Sequence, residues 1–285
     1  MKYQLGLYEK ALPIDLRWEE KFNIAKSAGY DFLEISIDET DQKLGRLDWS
    51  QEEINSLISV MEKTNFPIRS MCLSGHRKYP LGSLDEETRA KSIIIAEKAI
   101  NLAEKLGVRI IQLAGYDVYY ENGNAETKKL FEDNLKKIVE IASAKGILLG
   151  FETMETEFMD TVSKAMEYVD EINSPYLGLY PDCGNLNNAA IKYNKDILED
   201  IDTGRGKIFA FHIKETVPGK YRDMHFGDGN VDFEKIFKKL HELKVNRFVT
   251  EFWYLGEDNY IEIINEQCKF AKDILGKYYN RRDYA

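Results

Sequence analysis

Short apolar runs alternate along the chain with longer segments in which apolar residues recur every three or four positions. Three of the runs follow a glycine that ends the preceding segment, in SAGYDFLEIS, KLGVRIIQLAG and AKGILLGFE. A glycine at Gly29, Gly107 or Gly146 can adopt the left-handed backbone conformation that ends helices at little cost. The run 110–114 is nearly unbroken, which is typical of a parallel strand covered on both faces. The pattern therefore predicts a repeated unit of helix, turn and strand.

Helical periodicity supports the intervening segments. Phe131, Leu135, Ile138 and Ala142 recur at spacings of four, three and four, so they share one face of a helix. Two further segments show comparable apolar stripes, formed by Ile93, Ala96, Ile100 and Ala103, and by Phe233, Phe237, Leu240 and Leu243.

The strands are predicted to end near Tyr8, Ser36, Leu73, Ala114, Glu152, Tyr180, His212 and Glu251. Eight strands alternating with helices indicate either a closed parallel barrel or a doubly wound sheet. No Gly-x-Gly-x-x-Gly motif follows the first strand, which argues against a dinucleotide-binding sheet. The count of eight favours the α/β class and a single (β/α)8 TIM barrel domain spanning residues 1–285.

Composition and charge narrow the possible partners. Hydrophobic residues make up 44% and charged residues 31% of the chain, as in ordinary globular enzymes. The formal net charge of −10 opposes binding to the phosphates of nucleic acids. No stretch approaches the length of about 18 apolar residues that a membrane span requires. Three widely spaced cysteines, Cys72, Cys183 and Cys268, predict reduced thiols in a cytoplasmic protein.

Four ionisable residues occupy the predicted ends of consecutive strands: Glu152, Asp182, His212 and Glu251. They lie about one strand–helix unit apart, so a barrel would bring their side chains together at one rim. A single glutamate or histidine at such a place is more often a hydrogen-bonded structural residue. Four of them would bury charge at high cost unless they shared a purpose. Three carboxylates and an imidazole fit one divalent metal ion, Mn²⁺, Zn²⁺ or Mg²⁺.

The loops at the same rim hold further candidates. The residues after the third strand, His76, Arg77 and Lys78, form the densest cationic patch at the rim. They could be a clamp for a phosphate or for the polar end of a sugar, or they could be an ordinary surface loop. His225, after the seventh strand, could face the site or point away. The segment GDGNVDF beside it could bind phosphate, although the carboxylate of Asp228 argues against that.

Seven motifs resemble one enzyme family: GLYEKALP, SIDETD, RLDWS, MCLSGHRKYPLGS, IQLAGYDVYY, YPDCGN and HIKETVPG. They are similar to those of the L-ribulose-5-phosphate 3-epimerases of bacterial L-ascorbate utilisation, also called L-xylulose-5-phosphate 3-epimerases, within the xylose-isomerase-like barrels. The similarity runs from about Leu5 to the last helix. It implies a pentulose 5-phosphate substrate, a homodimer, and the same four metal ligands. Related free-ketose epimerases carry a histidine three residues after the second ligand, where this chain has Asn185, which disfavours a free sugar.

Such an epimerase removes the proton at C3 of a 2-ketose and returns one to the opposite face. The ketone acidifies that proton, and its removal leaves an enediolate, which a divalent cation would stabilise. Inversion requires an acid/base group on each side of the carbon, and Glu152 and Glu251 could fill these two roles. Asp182 and His212 would only hold the metal. Lys214 could reach a substrate oxygen, and the predicted substrate contacts are His76, Arg77, Lys78, Glu155, Asn185 and Lys214.

Four other functions are weighed against this one. An aldose–ketose isomerase or a free-ketose 3-epimerase could use the same metal site. A nuclease related to endonuclease IV is disfavoured by only four histidines and by the negative net charge. A barrel that binds a sugar phosphate without catalysis would not require two opposed glutamates.

Overall fold

Eight parallel strands alternate with helices in the computed structural model, which describes residues 1–281. Each of the first five strands hydrogen-bonds to the strand that follows it in the chain. The eighth strand pairs with both the first and the seventh. Isolated bridges of Leu179 with Ile208 and of Asp182 with His212 join the sixth and seventh strand segments and close the ring. The strands are β1 (Lys2–Tyr8), β2 (Phe32–Ile37), β3 (Ile68–Leu73), β4 (Ile110–Ala114), β5 (Leu148–Glu152), β6 (Leu177–Leu179), β7 (Phe211–Ile213) and β8 (Arg247–Thr250).

Helices surround the strands. They are α1 (Trp18–Ala28), α2 (Asp41–Leu44), α3 (Gln51–Thr64), α4 (Glu86–Leu106), α5 (Ala125–Ala144), α6 (Val162–Ile172), α7 (Cys183–Tyr193), α8 (Ile197–Thr203), α9 (Phe233–Glu242) and α10 (Tyr260–Leu275). A two-residue strand, β9 (Asn280–Arg281), pairs with β1. In the described part of the chain, no helix has the length and apolar character needed to cross a membrane. The last four residues of the predicted domain, 282–285, lie outside the described residues.

The predicted barrel is confirmed, and each strand ends within one residue of its predicted position. Gly29, Gly107 and Gly146 follow helices with φ angles of 96°, 75° and 65°, which is the left-handed conformation expected of them. The apolar stripe of α5 is buried at each of its four predicted positions. The local pattern therefore carried enough information to place the strand ends, where the candidate ligands lie.

Alternate residues of each strand face two different cores. Leu33, Ile35 and Ile37 of β2 point outward and pack in the large core between strands and helices. Phe32, on the other face of β2, belongs to a second cluster inside the ring, formed by Tyr8, Phe32, Cys72, Ile110, Tyr180, Ala210 and Val249. The ring is therefore filled by side chains.

A buried cluster of four ions fixes the turn after β1. The carboxylate of Glu9 is fully buried and lies 3.0 Å from Lys21 Nζ, 3.2 Å from Lys43 Nζ and 2.5 Å from Arg46 Nη1. It also accepts a hydrogen bond from the backbone N–H of Ser36 on β2. Burial alone would raise the pKa of Glu9, but Arg46 and the two lysines hold it well below its usual range. The cluster thus ties β1 to β2 and α1 beside the carboxyl ends of the strands.

We expect Glu9→Gln to destabilise the protein by about 3–5 kcal/mol, because three buried cations would lose their only shared carboxylate. Urea unfolding at pH 7 measures this. Glu86→Gln is the matched control, since Glu86 is exposed in the first turn of α4 and should change stability by less than about 0.5 kcal/mol. Equal unfolding free energies for the two variants would show that the cluster does not stabilise the fold.

Candidate functional site

Four ionisable side chains converge at the carboxyl ends of strands β5 to β8. Glu152 is the last residue of β5, His212 lies in β7, and Glu251 directly follows β8. Asp182 follows β6, and its side chain also caps the N-terminus of α7 by accepting the Asn185 N–H at 2.7 Å. One ligand atom from each of the four lies within 4.8 Å of the others, and all four residues are buried.

Charges of both signs share this cluster. His212 Nδ1 lies 3.3 Å from Glu152 Oε1 and 3.1 Å from Glu251 Oε2. Lys214 Nζ lies 2.8 Å from Asp182 Oδ2 and 3.8 Å from Glu251 Oε2. The lysine and the imidazole therefore face three carboxylates, and all five side chains are buried.

The environment moves the pKa values of these groups in different directions. Burial, followed by the charge of Glu251, raises the pKa of Glu152. Burial would also raise the pKa of Glu251, but Lys214 and His212 outweigh it and hold that pKa well below its usual range. Burial would lower the pKa of His212, yet the carboxylates of Glu34 and Glu251 raise it well above its usual range. The two glutamates thus have opposite tendencies to carry a proton.

The residues fit a divalent metal ion. Asp182 Oδ2 and Glu251 Oε2 are buried without a well-directed hydrogen bond, although Lys214 and His212 lie close to them as charges. Oxygen atoms in that situation remain available as ligands. Three carboxylates and one imidazole nitrogen are a donor set that suits Mn²⁺, Zn²⁺ or Mg²⁺.

Two polar residues inside the ring orient the predicted ligands. Gln112 of β4 donates a hydrogen bond from its side-chain amide to Glu152 Oε2. Glu34 of β2 lies on the other side of His212, with Oε1 2.7 Å from His212 Nε2. Glu34 was not among the residues predicted from the sequence. The available signal was an acidic residue within an apolar strand, on the face that alternation directs into the ring.

A cavity adjoins the cluster. Its walls carry four cations, Lys10, Arg77, Lys214 and Arg222, and three carboxylates. Local positive charge therefore offsets the acidic bulk of the chain at this place. The lining consists of Tyr8, Lys10, Cys72, Ser74, Arg77, Glu152, Met154, Glu155, Asn185, Lys214, Tyr221, Arg222, Glu251 and Trp253.

Arg77 and Glu155 are held at the cavity wall by two tyrosines. The hydroxyls of Tyr116 and Tyr119 donate to Glu155 at 2.7 and 3.2 Å. The guanidinium of Arg77 lies 4.8 Å from the Tyr119 ring centre and 3.4 Å, through Nη2, from the Tyr116 hydroxyl. Arg77 Nε is buried without a hydrogen-bond acceptor. The side chain is thus positioned, with donor capacity to spare.

The structure does not bring the other two residues of the predicted cationic clamp to this cavity. His76 is buried against α4, with Nε2 3.1 Å from the carbonyl oxygen of Ser92. Burial lowers the pKa of His76 to about 4, so the ring is neutral near pH 7. Lys78 is exposed, and its ammonium lies 5.5 Å from the Tyr79 ring. The turn 75–77 directs only Arg77 of the three into the site.

The glycine-rich segment after β7 wraps around a carboxylate of the chain itself. Glu215 is buried and accepts the backbone N–H groups of Thr216 at 3.1 Å, Gly227 at 2.9 Å and Val231 at 3.2 Å. Any side chain at Gly229 would collide with this carboxylate. Amides that could have bound a phosphate are therefore already occupied. His225 does not line the cavity and lies 3.9 Å from Glu257.

Comparisons with known proteins agree with this geometry. The family model described as a xylose isomerase-like TIM barrel matches residues 22–274. The chain is 42% identical over 275 residues, covering 96% of this chain and 95% of the relative, to the L-ribulose-5-phosphate 3-epimerase UlaE of Shigella flexneri. It is 45% identical over 238 residues, 84% of this chain and 82% of the relative, to the L-ribulose-5-phosphate 3-epimerase UlaE of Escherichia coli O139:H28.

Among solved structures, the fold is similar to that of the 3-keto-D-glucoside 4-epimerase YcjR from E. coli, in its apo form. The TM-score is 0.77 at 17% identity, covering 95% of this chain and 100% of the other. At that identity the similarity concerns the fold.

The burial of His76 predicts how stability depends on pH. Between a folded pKa of about 4 and the ordinary value of about 6.5, the unfolded chain binds a proton that the folded chain does not, so stability falls as pH drops. From pH 7 to pH 5 the wild type should lose about 2 kcal/mol more unfolding free energy than His76→Gln, which keeps a donor for Ser92 but cannot titrate. Urea unfolding at both pH values tests this, and parallel losses would contradict it.

Proposed function

Because this chain belongs to the xylose isomerase-like TIM barrel family and, within it, to the L-ribulose-5-phosphate 3-epimerases, we propose that it interconverts L-ribulose 5-phosphate and L-xylulose 5-phosphate. The chain and its curated relatives match over nearly their whole lengths. It is therefore an isomerase acting on a carbohydrate, and the proposal concerns its substrate and the residues that act on it.

One observation carries the proposed mechanism: two glutamates from different strands lie close to a single point in the site. Glu152 and Glu251 both line the cavity, and His212 Nδ1 lies within 3.3 Å of each. Inversion at a carbon requires one group to remove a proton from one face and another to deliver a proton to the opposite face. Carboxylates that project from strands β5 and β8 can flank a bound substrate in this way.

The reaction exchanges one proton for another. The first glutamate takes the proton from C3, and the electron pair of the C–H bond moves into an enediolate across C2 and C3. The second glutamate, which carries a proton, returns it to the other face of C3, and the ketone re-forms. In the reverse direction the two exchange roles. Glu152, Asp182, His212 and Glu251 would hold a divalent cation, which would supply Lewis-acid stabilisation of the negative charge that develops on the substrate.

The remaining cavity residues suit a phosphorylated sugar. Lys214 lies beside the cluster, where it can donate to a substrate oxygen. Arg77, Lys10 and Arg222 line the rest of the cavity and supply positive charge for the phosphate. Asn185 keeps a buried side-chain oxygen without a donor, and Glu155 faces Arg77, so both are candidates to accept substrate hydroxyls.

Several further expectations belong to the same proposal. The metal is Mn²⁺, Zn²⁺ or Mg²⁺, and the enzyme works as a single-domain homodimer in the cytoplasm, in the utilisation of L-ascorbate. The name shared by the curated relatives supports the role in L-ascorbate utilisation, and the three free, buried cysteines support a reducing compartment. Sedimentation analysis of the purified protein tests the dimer directly.

We expect deuterium to enter C3 of L-xylulose 5-phosphate in D₂O as L-ribulose 5-phosphate accumulates, with the protein loaded with Mn²⁺, Zn²⁺ or Mg²⁺. Proton NMR follows both events. Treatment with a chelator should abolish exchange, and the added metal should restore it. Deuterium at C1 with an aldose product would instead identify an isomerase. Metal-loaded protein that binds the ketose phosphate without any exchange would indicate a non-catalytic barrel.

Glu152→Gln and Glu251→Gln should each abolish epimerisation, yet each should retain exchange at C3 from one epimer only, because one base remains on one face. The two variants should select opposite epimers. Both residues are also proposed ligands, so the assays use saturating metal, and bound metal is measured in parallel. Asp182→Asn is the control, since it loses a ligand but no base and should not separate the epimers. Normal turnover in either glutamine variant would disprove the two-base mechanism.

A further inference from the structure

The carboxylate of Glu34 is completely enclosed within the barrel. Its Oε1 lies 2.7 Å from Nε2 of His212. Glu152 and Glu251 lie near the other ring nitrogen, Nδ1. Its Oε2 accepts hydrogen bonds from Ser70 Oγ and from the Tyr180 hydroxyl, each at 2.7 Å. Strands β2, β3 and β7 and the end of β6 thus meet at one carboxylate.

Neither the cavity nor the proposed proton transfer uses Glu34. It does not line the cavity, and His212 lies between it and the two proposed bases. A buried carboxylate is costly unless its contacts require it. Two hydroxyl donors could satisfy a neutral acceptor equally well. The contact that distinguishes a carboxylate here is the one with His212.

We infer that Glu34 is the positioning residue that prepares His212 to bind the metal, an inference that rests on the metal site of the proposed function. A neutral imidazole has one N–H, and a carboxylate at Nε2 keeps that hydrogen on Nε2. Nδ1 then presents its lone pair toward Glu152 and Glu251. Ser70 and Tyr180 hold the carboxylate so that it cannot turn away, and the Tyr180 ring, with its centre 4.7 Å from that of the imidazole, restricts the ring plane.

The effect acts on metal affinity rather than on folding. Loss of an outer carboxylate that holds a ligating histidine typically weakens metal binding about 10- to 100-fold. Glu34→Gln keeps the shape of the side chain and removes its charge, so the metal-free protein should stay folded at the temperature of the assay while its metal affinity falls. A purely structural role predicts the reverse, a lower unfolding temperature with unchanged metal affinity.

Dissociation constants for Zn²⁺ and Mn²⁺, measured by competition with a chromophoric chelator, test the inference on the purified full chain. Glu34→Gln should raise both constants about 10- to 100-fold. Asp117→Asn is the matched control, because Asp117 is another buried carboxylate, hydrogen-bonded to Thr127, that belongs neither to the cluster nor to the cavity lining, and it should leave both constants unchanged. Thermal unfolding of the metal-free proteins separates affinity from stability.

A spectroscopic readout addresses the hydrogen itself. In the wild type, the Nε2–H of His212 should give a strongly downfield, slowly exchanging NMR signal, which should shift upfield or disappear in Glu34→Gln. Tyr180→Phe removes one hydrogen bond to Glu34 but keeps the contact between Glu34 and His212. It should therefore retain the signal and weaken metal binding less than Glu34→Gln does. This second variant keeps the inference testable if Glu34→Gln fails to fold, because Tyr180→Phe with wild-type affinity would then overturn it.

The outcomes distinguish the two proposals. A wild-type protein that binds none of Zn²⁺, Mn²⁺ and Mg²⁺ removes the metal site and, with it, the proposed function. A wild type that binds metal, together with a Glu34→Gln variant of equal affinity, leaves the proposed function standing and overturns the role of Glu34.

Discussion

Negative charge enclosed at one end of the barrel is the constraint on which the rest of the structure depends. Glu152, Asp182 and Glu251, together with Glu34 behind His212, place four carboxylates around one imidazole and one ammonium group. Hydrogen bonds from Gln112, Ser70 and Tyr180 satisfy part of this charge, while oxygens of Asp182 and Glu251 keep no well-directed donor. A doubly charged cation is the simplest group that balances such a cluster. The lysine and the cationic cavity wall bring the adjoining space closer to neutrality, so an anionic substrate can enter.

The features that sequence reasoning predicted were the local ones. Glycines after helices and unbroken apolar runs identify strands, and the strand ends carried Glu152, His212 and Glu251 directly to the rim. Asp182 was found in the same way, although it serves a second purpose at the start of α7. Contacts between distant segments were out of reach. Nothing within the local sequence of His76 reveals that its ring packs beneath α4, because that contact depends on how the turn 75–77 meets a helix formed later in the chain.

Two buried carboxylates outside the cluster show why loop motifs were harder to interpret. Glu9 gathers three cations from α1, α2 and the following turn, and it thereby holds the segment between Tyr8 and Lys10, both of which line the cavity. Glu215 occupies the backbone amides of the glycine-rich segment after β7, so a motif that suggests a phosphate site instead organises the loop that carries Tyr221 and Arg222. In one place an acidic side chain neutralises cations, and in the other it accepts hydrogen bonds from backbone amides. From composition alone, both roles would be assigned to a ligand or to solvent.

The closure of the ring gives the metal cluster a mechanical meaning. Seven of the eight neighbouring strand pairs are joined by regular ladders, but β6 and β7 meet only through isolated bridges, one of which links Asp182 to His212. The same two residues are proposed metal ligands. A cation held by both would link β6 to β7, the most weakly paired neighbouring strands of the barrel. The same metal–ligand bonds would then serve both catalysis and the stability of the fold. A ligand that binds only the folded chain adds about 2.7 kcal/mol to the free energy of unfolding when its free concentration is about 100 times its dissociation constant. The concentration of available metal would therefore determine the stability of the closed barrel as well as the rate of catalysis.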